Sequence, residues 1–163
     1  MSAVVTMRCH FDGACEPMNP GGNMGIGAFA AIEENELFTY SEFILAAKRN
    51  SNNVAEYKGF IAVAKFLIEY IKTNIHSVER IDIRGDSNLV IQQLNGNWRI
   101  KQGYYTDYAK YAKLLFLEIT ALCNAKKIQL SLKWVPRTMN GRADELSKKG
   151  MVENNCEFRI QKQ

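Results

Sequence analysis

The sequence predicts an α/β domain in which a mixed sheet is covered by helices. Two observations carry that prediction. Three strand-like segments come first, and only a short turn parts the second from the third, as in an antiparallel hairpin. Strand-like runs then alternate with helical periodicity, giving the order βββ-α-β-α-α-β-α. Such alternation builds parallel strand pairs with helices laid over them. The 163 residues are the length of one domain. A chain of that length buries enough surface to fold without disulfides or a structural metal.

Residues 3–12 alternate loosely and are rich in Val, so they read as the first strand. Pro17, Asn19, Pro20, Gly21, Gly22 and Asn23 form a loop. Residues 24–33 and 36–46 read as two further strands, with Glu34 and Asn35 as the turn between them. A long helix is expected over Val54 to Thr73, where Tyr57, Phe60, Ile61, Ala64, Ile68 and Ile71 recur at helical spacing. Asn52 or Asn53 is its expected cap. A strand over 78–85 ends at Gly85, and a short helix over Ser87 to Leu94 stops near Gly96. A second long helix covers Thr106 to Asn124. Residues 127–135 form the last strand, 136–141 a loop, and Arg142 to Val152 a closing helix. The domain is expected to fill residues 1–152, with 153–163 as a tail. Cys156, Phe158 and Ile160 alternate there, as in a short edge strand.

Hydrophobic residues at 47% and charged residues at 23% exclude a disordered or fibrous chain. Lys65, Glu69 and Lys72 break the apolar stretch around them, and no segment approaches the roughly 20 apolar residues of a membrane span. The N-terminus lacks the basic and apolar regions of a signal peptide. Cys9, Cys15, Cys123 and Cys156 include no Cys-x-x-Cys pair, and with His10 and His76 they form no zinc constellation. Reduced thiols and a cytoplasmic location are therefore expected. His10, in an apolar run, reads as a packed histidine. A net charge of +4 permits a polyanionic partner without demanding one.

Four acids stand out by position. Asp12 ends the first strand, Glu56 sits in the first turn of the long helix, Asp86 ends the fourth strand, and Asp144 sits in the first turn of the closing helix. Ligands of α/β sheets bind beyond the carboxyl ends of strands. If the first and fourth strands are parallel neighbours, Asp12 and Asp86 come side by side. Clustered carboxylates are costly unless a cation neutralises them, and oxygen ligands favour Mg²⁺ or Mn²⁺. Taken singly, each acid also suits a plain cap or a favourable first-turn charge.

The local sequences around these acids resemble the four motifs of type 1 ribonuclease H. The first is Phe11-Asp12-Gly13-Ala14-Cys15 followed by Asn19-Pro20-Gly21-Gly22. The others are Asn52-Asn53-Val54-Ala55-Glu56-Tyr57, Gly85-Asp86-Ser87-Asn88-Leu89-Val90 and Asn140-Gly141-Arg142-Ala143-Asp144-Glu145-Leu146-Ser147. The resemblance runs from residue 7 to residue 150, in the family's order. It implies a five-stranded mixed sheet of order 3-2-1-4-5 with strand 2 antiparallel. It implies hydrolysis of the RNA strand of an RNA·DNA hybrid, leaving 5′-phosphate and 3′-hydroxyl ends. Asp12, Glu56, Asp86 and Asp144 would form the metal-binding catalytic set, holding two Mg²⁺ ions, or Mn²⁺ in their place, when substrate is bound. Asn19, Ser51, Asn52, Asn53 and Asn88 match positions that contact the minor groove and the RNA sugars, and the 2′-hydroxyl they would read distinguishes RNA from DNA.

Two departures from the family pattern are visible. The loop before the last acid has no histidine, and Arg137 is the candidate substitute; its guanidinium stays protonated, so its role would be electrostatic. The alternative is a loop arginine paired with a surface acid. The segment from Leu94 to Gly103 is too short for the basic protrusion that many members carry. Trp98, Arg99 and Lys101 would then form a reduced contact to the DNA strand, unless Trp98 packs into the core. Tyr104, Tyr105, Tyr108 and Tyr111 read as packing at helical spacing. The expected partner is an RNA·DNA hybrid, and the expected state a monomer. The alternatives are a catalytically silent nucleic-acid-binding module and another metal nuclease on the same fold.

Overall fold

In the computed structural model, residues 4–74 and 78–159 are described. His76 lies outside them. The strands are β1 (Thr6–Glu16), β2 (Asn23–Ile32), β3 (Asn35–Ile44), β4 (Arg80–Gly85) and β5 (Gln129–Trp134). The helices are α1 (Asn52–Thr73), α2 (Asn88–Leu94), α3 (Thr106–Lys126) and α4 (Gly141–Glu153), with a single 3-10 turn at Arg137–Met139. The strands form one sheet of order β3-β2-β1-β4-β5. β2 is antiparallel to β1 and β3, while β1, β4 and β5 run parallel.

β1 lies at the centre of the sheet, between β2 and β4. Met7, Cys9, Phe11 and Cys15 share one face and are wholly buried, and His10 and Asp12 on the opposite face are buried as well, as a strand covered on both sides requires. α1 and α3 pack together over one face, and α4 covers β2 and β3 on the other. Phe60 of α1 meets Phe11 and Phe116 edge-on, with ring centroids 5.7 and 6.0 Å apart, which ties β1, α1 and α3 into one core. α4 approaches β2 closely because Gly27 has no side chain. A Cβ there would run into the backbone of Ala143 and Ser147.

Several boundaries differ from expectation. Asp12 does not end β1. The parallel pairing with β4 stops at Phe11↔Gly85, but the antiparallel pairing with β2 continues to Glu16↔Asn23. The hairpin turn is Glu33-Glu34, one residue early. Glu33 takes a left-handed φ of 54°, and Asn35 already belongs to β3. Ser51, not Asn52 or Asn53, caps α1: its backbone is extended and its hydroxyl accepts from Val54 N at 3.1 Å. Glu56 therefore lies just beyond the first turn. Ser87 caps α2 in the same way, accepting from Val90 N. Residues 154–159 of the tail form no strand, and Ile160 lies outside the described residues. Arg159 instead folds back onto the end of β1. The four cysteines are free thiols.

Candidate active site

Where β1 and β4 part, a cavity of about 560 Å³ opens. Asp12 follows the last parallel pair on β1, and Asp86 follows it on β4. Glu56 reaches them because α1 runs hard against β1. Gly13 makes this possible, since a Cβ at that position would collide with the backbone of Ala55 and Glu56. Carboxylate oxygens of Asp12, Glu56 and Asp86 all lie within 4.8 Å of one another. Asp144 lines the same cavity from α4. Its carboxylate has Lys148 Nζ at 3.2 Å and Arg137 at 4.0 Å.

The triad is electrostatically uncomfortable. Burial, then the neighbouring Asp86, pushes Asp12 up to about 8, against a hydrogen bond from Gly13 N at 2.8 Å. Burial and the charges of Asp12 and Asp86 raise Glu56 well above the ordinary carboxylate range, and its Oε2 is buried without a hydrogen-bond partner among the described residues. Burial raises Asp86 as well, opposed by its hydrogen bond with Asp12 and the charge of Arg137. Asp82 shows what a satisfied buried acid looks like. Burial acts to raise it too, yet hydrogen bonds from Arg80 and Ser131 and the charge of Arg84 bring it below its ordinary value. Three crowded oxygen donors, one of them unsatisfied, suit a hard divalent cation.

The rest of the wall is amide, aromatic and cation. Asn52, Asn53, Ser87, Trp134, Arg137 and Arg159 line the cavity. Asn52 Oδ1 accepts from Cys15 N at 2.8 Å, and its own N–H donates to Asn19 Oδ1 at 3.0 Å, so Asn19 and Ser51 adjoin the rim. Asn88, Trp98, Arg99 and Lys101 do not line the cavity. Asn88 accepts from Gln92 at 3.2 Å, and Trp98 is 47% exposed rather than packed in the core. No helix separates α2 from α3. The four tyrosines split: Tyr105 is buried and stacks on Tyr57, whereas Tyr104, Tyr108 and Tyr111 are exposed under Arg49, Lys58 and Lys65.

Some residues of the site were not anticipated. Trp134 ends β5, the parallel neighbour of β4, and its indole donates to Asp86 O at 3.1 Å; a position at the carboxyl end of a parallel strand was the available signal. Asn140, almost fully buried before α4, donates to Phe11 O at 2.9 Å and accepts from His10 Nδ1 at 2.9 Å, holding β1 to the loop below Asp144. His10 stacks on Phe29, and burial lowers its pKa. Nothing local in the sequence marked Arg159.

Fold and triad together support a metal-dependent nuclease of ribonuclease H type. A family model described as RNase H matches residues 5–152, and the chain belongs to that family. It is 30% identical over 132 residues to the bifunctional protein Rv2228c of Mycobacterium tuberculosis, a match that covers 80% of this chain and 32% of that protein. The chain thus spans about a third of the length of the curated relatives it matches. Among solved structures, LC11-RNase H1 in complex with RNA/DNA hybrid is 25% identical with a TM-score of 0.67, covering 91% of this chain and 99% of that one. The N-terminal RNase H domain of Rv2228c, solved as a fusion with maltose-binding protein, is 25% identical with a TM-score of 0.65, covering 93% and 96%. Among the described residues, no helix is long and apolar enough to cross a membrane.

Proposed function

We propose that the chain hydrolyses the RNA strand of RNA·DNA hybrids, leaving 5′-phosphate and 3′-hydroxyl ends. The observation that carries this reading is the unsatisfied triad of Asp12, Glu56 and Asp86, in a cavity whose wall also bears Asn52 and Asn53. Asp12, Glu56, Asp86 and Asp144 would hold two divalent cations, Mg²⁺ or Mn²⁺. Bound there, such ions supply an activated water and charge stabilisation for the departing 3′-oxygen.

The other residues bind and orient. Asn52 and Asn53, with Asn19, Ser51 and Asn88 beside them, read the 2′-hydroxyls of the RNA strand through neutral donors and acceptors. Arg137 sets a permanent cation beside the scissile phosphate and holds it during the reaction or eases release of the product. Trp98, exposed on the segment after α2, offers a face to a DNA sugar, with Arg99 and Lys101 toward phosphates. Residues 1–152 carry this activity as one domain, in a monomer. A silent binding module is disfavoured by the triad itself, because uncompensated carboxylates repel the phosphates such a module must hold.

The test is a Mg²⁺-dependent cleavage assay on hybrid, duplex DNA, duplex RNA and each single strand. Cleavage of the RNA in the hybrid alone is expected. Cleavage of duplex DNA would move the chain to another nuclease class, and binding without cleavage would make it a silent module.

A further inference from the structure

The tail beyond the family match reaches the candidate active site. The match ends at residue 152, yet Arg159 lines the same cavity as Asp12, Glu56 and Asp86. Four hydrogen bonds hold it there. Its backbone N–H and its Nε donate to Glu16 Oε2 at 2.9 and 3.1 Å, and its Nη2 donates to Glu16 Oε1 at 3.2 Å and to Cys15 O at 2.9 Å. Glu16 ends β1, the strand that carries Asp12. Burial acts to raise the Glu16 carboxyl, but hydrogen bonds from Arg159 outweigh it and hold the group below its ordinary value. Nη1 of Arg159 enters no hydrogen bond among the described residues.

The Cys15 residue links this cation to the amide wall. Its N–H donates to Asn52 Oδ1, and its carbonyl accepts from Arg159. Arg159 thus stands next to Asn52 along the rim, while Arg137 lines the cavity from the loop before α4. A guanidinium stays charged at every working pH and presents a planar fork that matches a phosphate. Fixing it in place before the ligand arrives removes side-chain entropy that an unanchored arginine would lose on binding.

We propose that Arg159 is a substrate-binding residue, which the tail brings to the cavity to hold a backbone phosphate of the nucleic-acid strand that runs past Asn52. This rests on the functional reading above. Glu16 acts as its anchor, orienting the guanidinium and leaving one edge toward the cavity.

The experiment uses the full chain as wild type, Arg159→Ala and Arg159→Lys, with hybrid affinity, kcat and KM measured across a salt series and melting temperature as a control for folding. One lost phosphate contact should raise KM about tenfold at low salt, with kcat nearly unchanged. It should also make the slope of log affinity against log salt shallower by about 0.9. Arg159→Lys should keep the wild-type slope, since the charge stays. A wild type that binds and cleaves hybrid, with Arg159→Ala retaining both affinity and slope, overturns this inference alone. So does an equal loss in the Ala and Lys variants with the slope unchanged, because that is the mark of a structural latch. A wild type with no salt-dependent affinity for hybrid overturns the functional reading and this inference together.

Discussion

Asp12 and Asp82 are both buried acids on neighbouring strands, yet only Asp82 has cationic partners. The sign of the consequence follows from the raised value. A carboxyl whose folded pKa lies near 8 and whose unfolded pKa lies near about 4 binds its proton more tightly in the folded state. Without metal, that group's contribution to stability falls as pH rises between those values. Metal-free protein should therefore melt higher at about pH 5.5 than at about pH 8, and divalent cation should shrink the difference. Asp12→Asn should abolish hybrid cleavage and stabilise the metal-free protein by about 2 kcal/mol, read by cleavage assay and thermal melting. A variant that keeps most of the wild-type activity would remove Asp12 from the metal set. Arg137→Ala should lower single-turnover rate more than hybrid affinity, and Arg137→Lys should recover only part, because ammonium lacks the two-pronged geometry. Equal kinetics for Ala and wild type would leave Arg137 without a role in turnover. The four acids were legible because each stands inside a distinctive local motif. Trp134 and Arg159 were not, because what brings them to the cavity is sheet order in one case and a chain reversal in the other.

At the level of elements, the sequence located the five strands and four α-helices of the described residues, misplaced several ends, took the 3-10 turn at Arg137–Met139 as plain loop, and expected a tail strand where residues 154–159 form none. Each error has a local physical cause. β1 continues past Asp12 because one neighbour persists after the other departs, and no periodicity along β1 encodes where its partners stop. Ser51 wins the cap over Asn52 because Asn52 is already helical and its side chain is engaged by Cys15. The approach of α1 to β1 was also invisible, since it depends on the absence of a side chain at Gly13. Gly13→Ala should push the start of α1 outward and carry Glu56 away from Asp12. A displacement near 1 Å at reacting groups costs about a hundredfold in rate. The chain should stay folded by circular dichroism while kcat falls by that order. Wild-type turnover in a folded Gly13→Ala variant would show that the close approach is dispensable.

For the whole molecule, selectivity should rest on the sugar and not on the base sequence. The cavity wall bears the amides of Asn52 and Asn53, and its two arginines, Arg137 and Arg159, are the groups assigned above to phosphates and not to base edges. Replacing the RNA strand by 2′-O-methyl RNA should block cleavage, because the methyl removes the donor and adds bulk. Comparable cutting of methylated and natural hybrids, followed on a denaturing gel, would dismiss the 2′-hydroxyl reading. With a net charge of only +4 and no helix between α2 and α3 to grip the DNA strand, hybrid affinity should be modest, and few phosphate contacts should give it a shallow dependence on salt.

The parting of β1 from β4 beside Asp12 has a consequence for how the protein acquires activity. Asp12, Glu56 and Asp86 come from β1, α1 and the end of β4, and they meet only when the parallel pair between distant strands has closed. Pairings of that kind form slowly, because a long loop must be ordered before any contact rewards it. No fragment with only the β1-β2-β3 meander and α1 can hold the triad. During refolding, the return of hydrolysis should then lag the return of helical signal and coincide with protection of the β1 and β4 amides from exchange. Activity is in this sense a clock for the completion of the sheet.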